Sequence, residues 1–352
     1  MRPKADSPRS VALPRVTVVI SVYNEARNLP AKLDNCREID YPPEKLEILF
    51  GSDGSTDGSV ALIESASIAR TRVISFAERR GKAPVLNDLI RETEGEIIVF
   101  SDANTTFRTD TVRSLVRHFE QPDVGAVCGS LTLRSDDRTA GGFGESAYWK
   151  YENLLKLLES QIETTVGATG GVYAIRKSLF KPLPTKTSVP DDFVLPMNVL
   201  RNRSRIVYDP EAVAFEDLSN SVLGEFQRKV RIGTSAFYSI RELTDLLRPG
   251  NGFAAFALWS RKIIRWFVPI LLILTFLSSG ILAQDSRFFS ITFVLQVAFY
   301  GSAFIGFLME KSGIRLGFLG LPYYFTAMNL ALLIGFVRFL GGKQTFTWEV
   351  IR

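Results

Sequence analysis

Short apolar runs alternate with segments of helical spacing through the first third of the chain. The runs rich in β-branched residues cover residues 15–22, 46–50, 72–76, 96–100 and 124–133. The intervening segments with apolar side chains three and four apart cover residues 24–36, 59–70, 83–93 and 109–120. This alternation predicts an α/β fold, with a mostly parallel sheet covered by helices on both faces.

The pattern is less regular between residues 134 and 248. Residues 148–162 predict a helix, and the small residues 167–171 predict a turn before a short strand at 172–175. A loop at residues 182–190 leads into two adjacent acids. Residues 225–247 predict a long basic amphipathic helix or a pair of helices.

The hydrophobic pattern changes again after residue 252. We expect membrane spans at about residues 266–283, 289–309 and 316–340, each near the ~20 residues needed to cross a bilayer. Residues 249–265, which carry Trp259 and three basic side chains, predict an amphipathic helix lying along the bilayer surface. The predicted organisation is therefore a catalytic domain at 1–248, an interfacial helix at 249–265 and a membrane domain at 266–352.

Charge distribution predicts the orientation in the membrane. Basic residues precede the first predicted span, and Lys311 and Arg315 follow the second, which places the soluble domain in the cytosol. Three spans put the C-terminus outside, but Lys343 and Arg352 leave a re-entrant or interfacial third segment open. No secretory signal is visible. We therefore predict a multi-pass protein of the plasma (inner) membrane with a cytoplasmic catalytic domain.

Composition excludes several classes of function. The net charge is +5 and the mean hydropathy is +0.11, but no Lys/Arg run is interleaved with aromatics, so nucleic acid is not an expected partner. Cys36 and Cys128 lack metal-ligand spacing. The single histidine, His118, is expected on a helix surface, and no GxSxG elbow supports a serine hydrolase. A dinucleotide-dependent oxidoreductase would need a GxGxxG after the first strand, which is missing.

Polar clusters follow two of the predicted strands. Asp53 comes after the second strand and Asp102 after the fourth. Because ligands of open α/β sheets bind at the carboxyl ends of the strands, we expect these two carboxylates to share one crevice.

Six motifs, in this order, resemble glycosyltransferase family 2 over about residues 16–240. They are VVISVYNE (18–25), GSDGSTD (51–57), RGKA (80–83), SDAN (101–104), DD (191–192) and QRKVR (227–231). With its membrane tail, the chain looks like bacterial membrane-bound members of the cellulose and hyaluronan synthase-like group, which assemble polysaccharide or glycolipid. The resemblance implies a Rossmann-like GT-A fold, a nucleotide-sugar donor, Mn²⁺ or Mg²⁺, and inversion at the anomeric carbon.

The resemblance also implies a donor site. Asp102 would be the metal ligand, with Asn104 where the family usually has a second aspartate, because carboxylate and amide oxygens suit a hard divalent cation. The residues implied to bind the nucleotide are Glu25, Asp53, Lys82, Asp102, Arg228 and Arg231. Simpler interpretations are open for each: ordinary turns around 53 and 102, a helix N-terminal acid at 25, a solvated basic turn at 82, and a lipid-facing basic helix at 228–231.

The acceptor side follows from the same resemblance. Asp192 matches the family's general base, which takes the proton of the attacking hydroxyl, and Asp191 would support it. Gly170, Gly171 and Gln227 are implied on the acceptor side, where small residues let a sugar approach the backbone. Adjacent acids also occur at helix starts, so Asp191 and Asp192 could simply begin a helix.

Together these features predict an inverting hexosyltransferase at the cytosolic membrane face. Its donor would be a nucleotide-sugar, a UDP-sugar by analogy, and its acceptor a saccharide or lipid-linked molecule, with membrane lipid around it. In the QRKVR segment Val230 stands where processive members have arginine, Arg231 comes one place later, and the tryptophan is absent, which argues against processivity. The alternative is a non-catalytic scaffold of a polysaccharide synthase complex that lost metal binding at Asn104. The oligomeric state is left open.

Overall fold

A mixed eight-stranded sheet forms the centre of the first 217 residues. The computed structural model describes residues 13–134, 140–217, 222–314 and 317–342. The strands are β1 (Val16–Val22), β2 (Leu46–Asp53), β3 (Thr71–Phe76), β4 (Ile97–Asp102), β5 (Thr105–Phe107), β6 (Val124–Arg134), β7 (Tyr173–Arg176) and β8 (Arg205–Asp217). Their order in the sheet is β3-β2-β1-β4-β7-β6-β8-β5.

The first four strands form the parallel part that the alternating pattern predicts. β1 pairs in parallel with both β2 and β4, and β2 pairs in parallel with β3. Antiparallel β7 joins this part to β6, which is parallel to β8, and short β5 pairs antiparallel with β8. The expected α/β fold with a mostly parallel, Rossmann-like sheet is confirmed.

Helices cover both faces of this sheet. Those before the membrane region are α1 (Leu29–Arg37), α2 (Ser59–Ser65), α3 (Lys82–Glu92), α4 (Thr111–Arg117), α5 (Ala140–Ile162), α6 (Asp191–Leu200) and α7 (Val222–Glu242). Every β1 side chain is buried: Val18 and Ile20 lie in the core shared with α1 and α4, and Val19 lies in the core shared with α3 and α6. Burial on both faces explains why β1 has almost no polar positions.

The pattern misplaced several boundaries. The helix predicted from residue 24 begins at Leu29, because Asn24 has a positive φ of 52° and its side chain accepts a hydrogen bond from the Thr56 amide. The helix predicted at 59–70 ends at Ser65, and Arg70 also has a positive φ. The helix predicted at 225–247 is α7, which ends at Glu242. Two strands, β5 and β8, were not predicted at all.

Three long apolar helices follow the sheet. By length and composition, the helical runs Pro249–Leu282, Arg287–Lys311 and Gly317–Leu340 could each cross a membrane. They contain α8 (Gly252–Leu258), α9 (Ile264–Leu282), α10 (Arg287–Lys311) and α11 (Gly320–Leu340), with a π-helical turn at Trp259–Ile263. The predicted interfacial segment 249–265 is therefore continuous with the first of these helices. Arg315, Lys343 and Arg352 lie outside the described residues.

The last apolar helix, α11, packs directly on α7. A Cβ atom added to Gly335 of α11 would lie 2.8 Å from the Thr234 amide nitrogen and 3.0 Å from the Gly233 carbonyl carbon, both in α7. The two backbones thus touch with no side chain between them. Phe237 of α7 adds a ring contact with Phe336 at a centroid distance of 4.9 Å. The helix that carries the predicted donor-site arginines is therefore fixed to a candidate membrane span.

Candidate active site

The two predicted carboxylates lie at one edge of the sheet. In the pairing of β1 with its neighbours, Ser21 is level with Asp102 of β4, and Val22 is level with Ser52 of β2. Asp102 and Asp53 therefore end the two strands that flank β1, as the sequence predicted. Their side chains have different surroundings.

Asp53 is fully buried and holds the basic turn of residues 79–82. Its two carboxylate oxygens accept hydrogen bonds from the amides of Arg80 at 2.6 Å and Gly81 at 2.8 Å. Gly54, with φ of 72°, allows the turn to approach, since an added Cβ would be 2.9 Å from the Arg79 nitrogen. Asp53 thus positions this turn, and its contact with a nucleotide stays a prediction.

Glu25 lies in a loop that is joined to the loop after β2. Its carboxylate accepts a hydrogen bond from the Asn28 amide at 2.6 Å, and its backbone nitrogen donates to Ser59 Oγ at 3.0 Å. Burial raises the pKa of Glu25, and Asn28 partly opposes this shift. Because Asp102 also acts on the Glu25 carboxyl, the two side chains belong to one electrostatic environment. A nucleotide contact at Glu25 is untested.

Lys82 joins the two halves of the site. It begins α3 and forms ion pairs with Asp102 at 2.8 Å and Asp191 at 3.0 Å. Burial lowers the pKa of Lys82, but the two carboxylates more than offset this and raise it above its usual range. Lys82 is therefore a fixed cation within the site, and the interpretation as a solvated basic turn is wrong for this side chain.

Asp102 is held in its ionised form. Burial raises its pKa, but the Lys82 ammonium lowers it, with smaller effects from Lys32 and Arg228, and the net pKa is below its ordinary value. One carboxylate oxygen, Oδ1, accepts the Lys82 hydrogen bond, and Oδ2 faces Gly170 and Gly171. An added Cβ would lie 4.0 Å from Oδ2 at Gly170 and 3.4 Å at Gly171. The glycines thus leave space in front of this oxygen.

Lys32 is a site residue that sequence analysis did not identify. Its side chain is only 1% exposed, and its ammonium donates to Ser101 Oγ at 2.6 Å and to the Thr105 carbonyl at 2.7 Å. It therefore fixes both ends of the turn that carries Asp102. The available signal was its position, because Lys32 interrupts the inward face of a helix that Leu29 and Cys36 otherwise fill.

The predicted acceptor-side residues meet at the start of α6. Asp191 is the first helical residue and accepts a hydrogen bond from the Tyr173 hydroxyl at 2.8 Å. Asp192 Oδ2 would lie 3.1 Å from a Cβ added to Gly170, so the glycine also leaves space beside this carboxylate. The acids begin a helix, as the simpler interpretation has it, and they also lie beside Lys82 and Gly170; their roles in activating an acceptor stay predictions.

Asp192 has the pKa of a poised base. Burial, followed by the neighbouring Asp191 carboxylate, raises the pKa of Asp192 to about 6, while Lys82 opposes the shift. A carboxylate with this pKa is ionised near neutral pH and is a better proton acceptor than an ordinary aspartate.

Asn104 pairs with an acid that sequence analysis also missed. Its amide nitrogen donates to Glu216 Oε1 at 3.1 Å, and the same oxygen lies 3.9 Å from Arg228 of α7. Glu216 belongs to the unpredicted strand β8. Arg231 is half-buried one helical turn beyond Arg228, and Gln227 is exposed.

Asp102 Oδ2, in the space left by the glycines, suits a hard divalent cation that takes its other ligands from a diphosphate and water. Asp102 Oδ2 and the Asn104 side-chain oxygen would be the protein ligands. Within the described ranges no three His, Cys, Asp or Glu side chains cluster as a metal site. That is compatible with Mg²⁺, which commonly takes one or two carboxylates and completes its shell with waters and substrate phosphates.

His118 lies at the start of the 3₁₀ turn after α4. Its Nε2 is 2.8 Å from Asp209 Oδ2, and Arg117 pairs with the same carboxylate at 2.9 Å. Asp209 is 1% exposed on its side chain. His118 therefore packs against β8 through Asp209. The sequence predicted a helix-surface residue, whereas the structure places His118 only partly at the surface.

Comparisons with known proteins find relatives of similar sequence. The chain is 24% identical over 221 residues to a poly-beta-1,6-N-acetyl-D-glucosamine synthase of Staphylococcus aureus (strain COL), which covers 61% of this chain and 53% of the relative. The chain thus spans about half the length of that relative. A Staphylococcus epidermidis protein of the same name is 22% identical over 342 residues, covering 91% of this chain and 82% of the relative.

A solved structure shares the fold. The mannosyltransferase PcManGT from Pyrobaculum calidifontis, in complex with GDP-Man and Mn²⁺, superposes with a TM-score of 0.70 at 24% identity, covering 97% of this chain and 92% of that chain. The sheet is therefore that of a GT-A fold, as predicted. Residues 17–183, which contain Lys32, Asp53, Lys82 and Asp102, match the model described as Glycosyl transferase family 2. This part of the chain belongs to glycosyl transferase family 2.

Proposed function

We propose that the protein transfers a hexose from a nucleotide-sugar, with inversion, to a saccharide or lipid-linked acceptor at the cytosolic face of a membrane. The observation that carries this proposal is the meeting of Asp102, Asp191 and Asp192 around Lys82 and Gly170. One carboxylate there is held ionised, and another has the raised pKa of a base. We further propose a role in surface polysaccharide or glycolipid synthesis.

The acceptor hydroxyl would be activated by Asp192. Its Oδ2 takes the proton as the hydroxyl oxygen bonds to the anomeric carbon, and the bond from that carbon to the nucleotide diphosphate breaks. Attack from the face opposite the diphosphate inverts the configuration. Asp191 keeps Lys82 in place through their 3.0 Å ion pair. Lys82 stays charged near neutral pH, because its pKa is raised.

The leaving diphosphate would lie between Lys82 and α7. Lys82, Arg228 and Arg231 supply positive charge to the phosphate oxygens, and arginine can bind them in bidentate fashion. A divalent cation held by Asp102 and Asn104 would neutralise further charge on the leaving group. Glu25 and Asp53 would line the nucleotide end, Asp53 through the turn it holds. Gly170, Gly171 and Gln227 would line the acceptor side.

The position of Asp192 relative to the apolar helices supports a lipid-linked acceptor in the membrane. Phe193, the residue after the proposed base, packs edge-on against Trp266 of α9 at a centroid distance of 5.6 Å. Asp192 therefore lies beside the start of the first candidate span. Arg261, Lys262 and Arg265 precede that span, which supports a cytosolic active site in a multi-pass protein of the plasma membrane.

Nucleotide titration and transfer assays test the proposal. Protein in lipid nanodiscs is titrated by calorimetry with UDP, GDP and CDP, each with Mn²⁺, Mg²⁺ or chelator. We propose UDP-sugars as donors, and GDP-mannose is the comparison because the PcManGT structure contains it. Asp192→Asn should lower transfer by at least about 100-fold and change nucleotide affinity by less than about twofold.

A matched control removes a carboxylate outside the site. Asp40 forms an exposed ion pair with Arg113, and Asp40→Asn should leave transfer unchanged. An Asp192→Asn variant that still turns over would remove Asp192 as the base. Folded wild-type protein that binds none of the nucleotides would favour the scaffold alternative.

A further inference from the structure

Helix α5 has three of its charged residues inside and its most exposed apolar residues outside, where Lys150 and Gln161 are exposed among them. Glu152, Lys156 and Glu159, at spacings of four and three, are 3%, 2% and 9% exposed. The opposite face carries apolar side chains at helical spacing that are between 46% and 67% exposed: Tyr151, Leu154, Leu158 and Ile162. We call these four residues the α5 stripe. This polarity is the reverse of a helix that covers a soluble core.

Ion pairs fix the inward face of α5. Glu152 binds both Arg261, at 2.7 Å, and Arg265, and Glu159 binds Arg261 as well. Burial raises the pKa of Glu152, but the nearby lysine and arginines lower it well below its usual range. Since breaking one partner of a buried pair leaves an uncompensated charge, α5 cannot turn its apolar face inward.

The partners of α5 show what lies next to the stripe. Arg261 and Arg265 lie within the helical run Pro249–Leu282, just before its uncharged stretch from residue 266. α5 also contacts α11. Two further aromatic side chains in the same run, Phe256 and Trp259, are 66% and 46% exposed. Tryptophan is enriched where a membrane meets water. α5 therefore packs on two of the helices that carry the candidate spans, and both α5 and the first of these runs expose apolar side chains.

We propose that α5 lies in the interfacial zone of the bilayer and inserts the α5 stripe among the lipid chains. Apolar area on the stripe then leaves water, as in other interfacial amphipathic helices. The helix leads directly to residues 163–171, which end at the glycines beside Asp192. The acceptor side of the site is thereby held at the level of the lipid headgroups. This inference rests on the three candidate spans lying in a bilayer.

Spin-label accessibility tests the position of α5. Single cysteines replace Leu158 and Ile162 in the stripe, Ser65 at the end of α2 as an aqueous control, and Leu295 in α10 as a span control. Ser65 is exposed beside the far edge strand β3, and Leu295 is 64% exposed. The native cysteines, Cys36 and Cys128, are both buried, so the unsubstituted chain measures background labelling.

Collision with oxygen and with a water-soluble nickel chelate is measured in nanodiscs of anionic and zwitterionic lipid. We expect the oxygen-to-nickel ratio at Leu158→Cys and Ile162→Cys to exceed that at Ser65→Cys by about threefold or more, approaching that at Leu295→Cys. If the oxygen-to-nickel ratio at Leu158→Cys and Ile162→Cys is as low as at Ser65→Cys, while the ratio at Leu295→Cys is high, the inference is overturned but the candidate spans still lie in the bilayer. If the ratio at Leu295→Cys is also as low as at Ser65→Cys, both the predicted membrane domain and the inference are overturned. If neither reagent reaches the labels in the stripe and the labels broaden each other's spectra, a second copy of the protein covers the stripe, and the inference is overturned.

Discussion

The pH dependence of transfer reports directly on the proposed base. Asp192 has a pKa raised to about 6, first by burial and then by the Asp191 carboxylate. A base must be ionised to accept a proton, so kcat/KM should fall as the pH drops through about 6. At pH 5 only about a tenth of the molecules would carry an ionised Asp192, whereas an aspartate of ordinary pKa would be over about 90% ionised.

Asp191→Asn isolates the electrostatic cause of this shift. A unit charge about 7 Å away at an effective dielectric constant near 20 contributes about 2 kcal/mol, or roughly 1.5 pH units, and the Lys82 ammonium cancels part of it. The variant should therefore move the acid limb of the profile downward by about 0.5–1 unit, in addition to lowering the rate. Initial rates over pH 4.5–8.5 (about 0.5-unit steps) in a three-component buffer of constant ionic strength give kcat/KM for both proteins.

Two results would contradict this reasoning. An acid limb near pH 4 in the wild type would mean that the group controlling transfer is not the buried Asp192. An acid limb that stays in place or rises in Asp191→Asn would mean that Asp191 does not act on the base through its charge. Tyr173→Phe is the control, because it removes only the hydrogen bond to Asp191 and keeps the negative charge.

Three further substitutions probe other parts of the site. Lys82→Met should lower kcat/KM by about 100-fold, since it removes the cation between two carboxylates, whereas Arg80→Met on the same turn should lose about twofold or less. Asp53→Asn should lower the free energy of unfolding by about 1–3 kcal/mol in a urea titration, because an amide cannot accept both loop hydrogen bonds; lost nucleotide affinity at unchanged stability would instead indicate direct nucleotide contact. Gly335→Ala should lower the free energy of unfolding by about 1–3 kcal/mol, because the added methyl group pushes α11 away from α7. Calorimetry should show a lower affinity for the donor. Gly301→Ala, whose added Cβ meets nothing within 4 Å, is the matched control and should be silent.

The first half of the fold could be predicted because its strands are buried on both faces. Five of the seven β1 residues and four of the six β4 residues are apolar, so the runs are evident without any partner. β8 was missed because its 13 residues include Asp209, Pro210 and Glu211 at a register shift opposite β6. Helix ends were misplaced where a positive φ lies close to the helix, as at Ser67, two residues after the end of α2. Such stops depend on the local backbone and leave no periodic signal.

The candidate site was predictable to a similar extent. Resemblance of the motifs to the family pointed to Asp102, Lys82 and Asp192, which the structure brings together. It could not show that Asp53 uses both carboxylate oxygens on the basic turn of residues 79–82, because that depends on how closely the turn approaches the end of β2. Glu216 was missed with its strand, since it joins Asn104 only through the sheet pairing of β5 with β8.

The glycine contact between α7 and α11 would connect the proposed donor site to the thickness of a membrane that α11 crosses. α11 has 21 residues and is about 32 Å long, close to the ~30 Å hydrocarbon core of a bilayer. A helix that exceeds a thinner bilayer tilts to relieve the mismatch. Because Gly335 lies against the backbone at Gly233, tilting of α11 would carry α7 and Arg228 with it. Donor affinity would then depend on the lipid composition of the membrane as well as on the residues that bind the diphosphate.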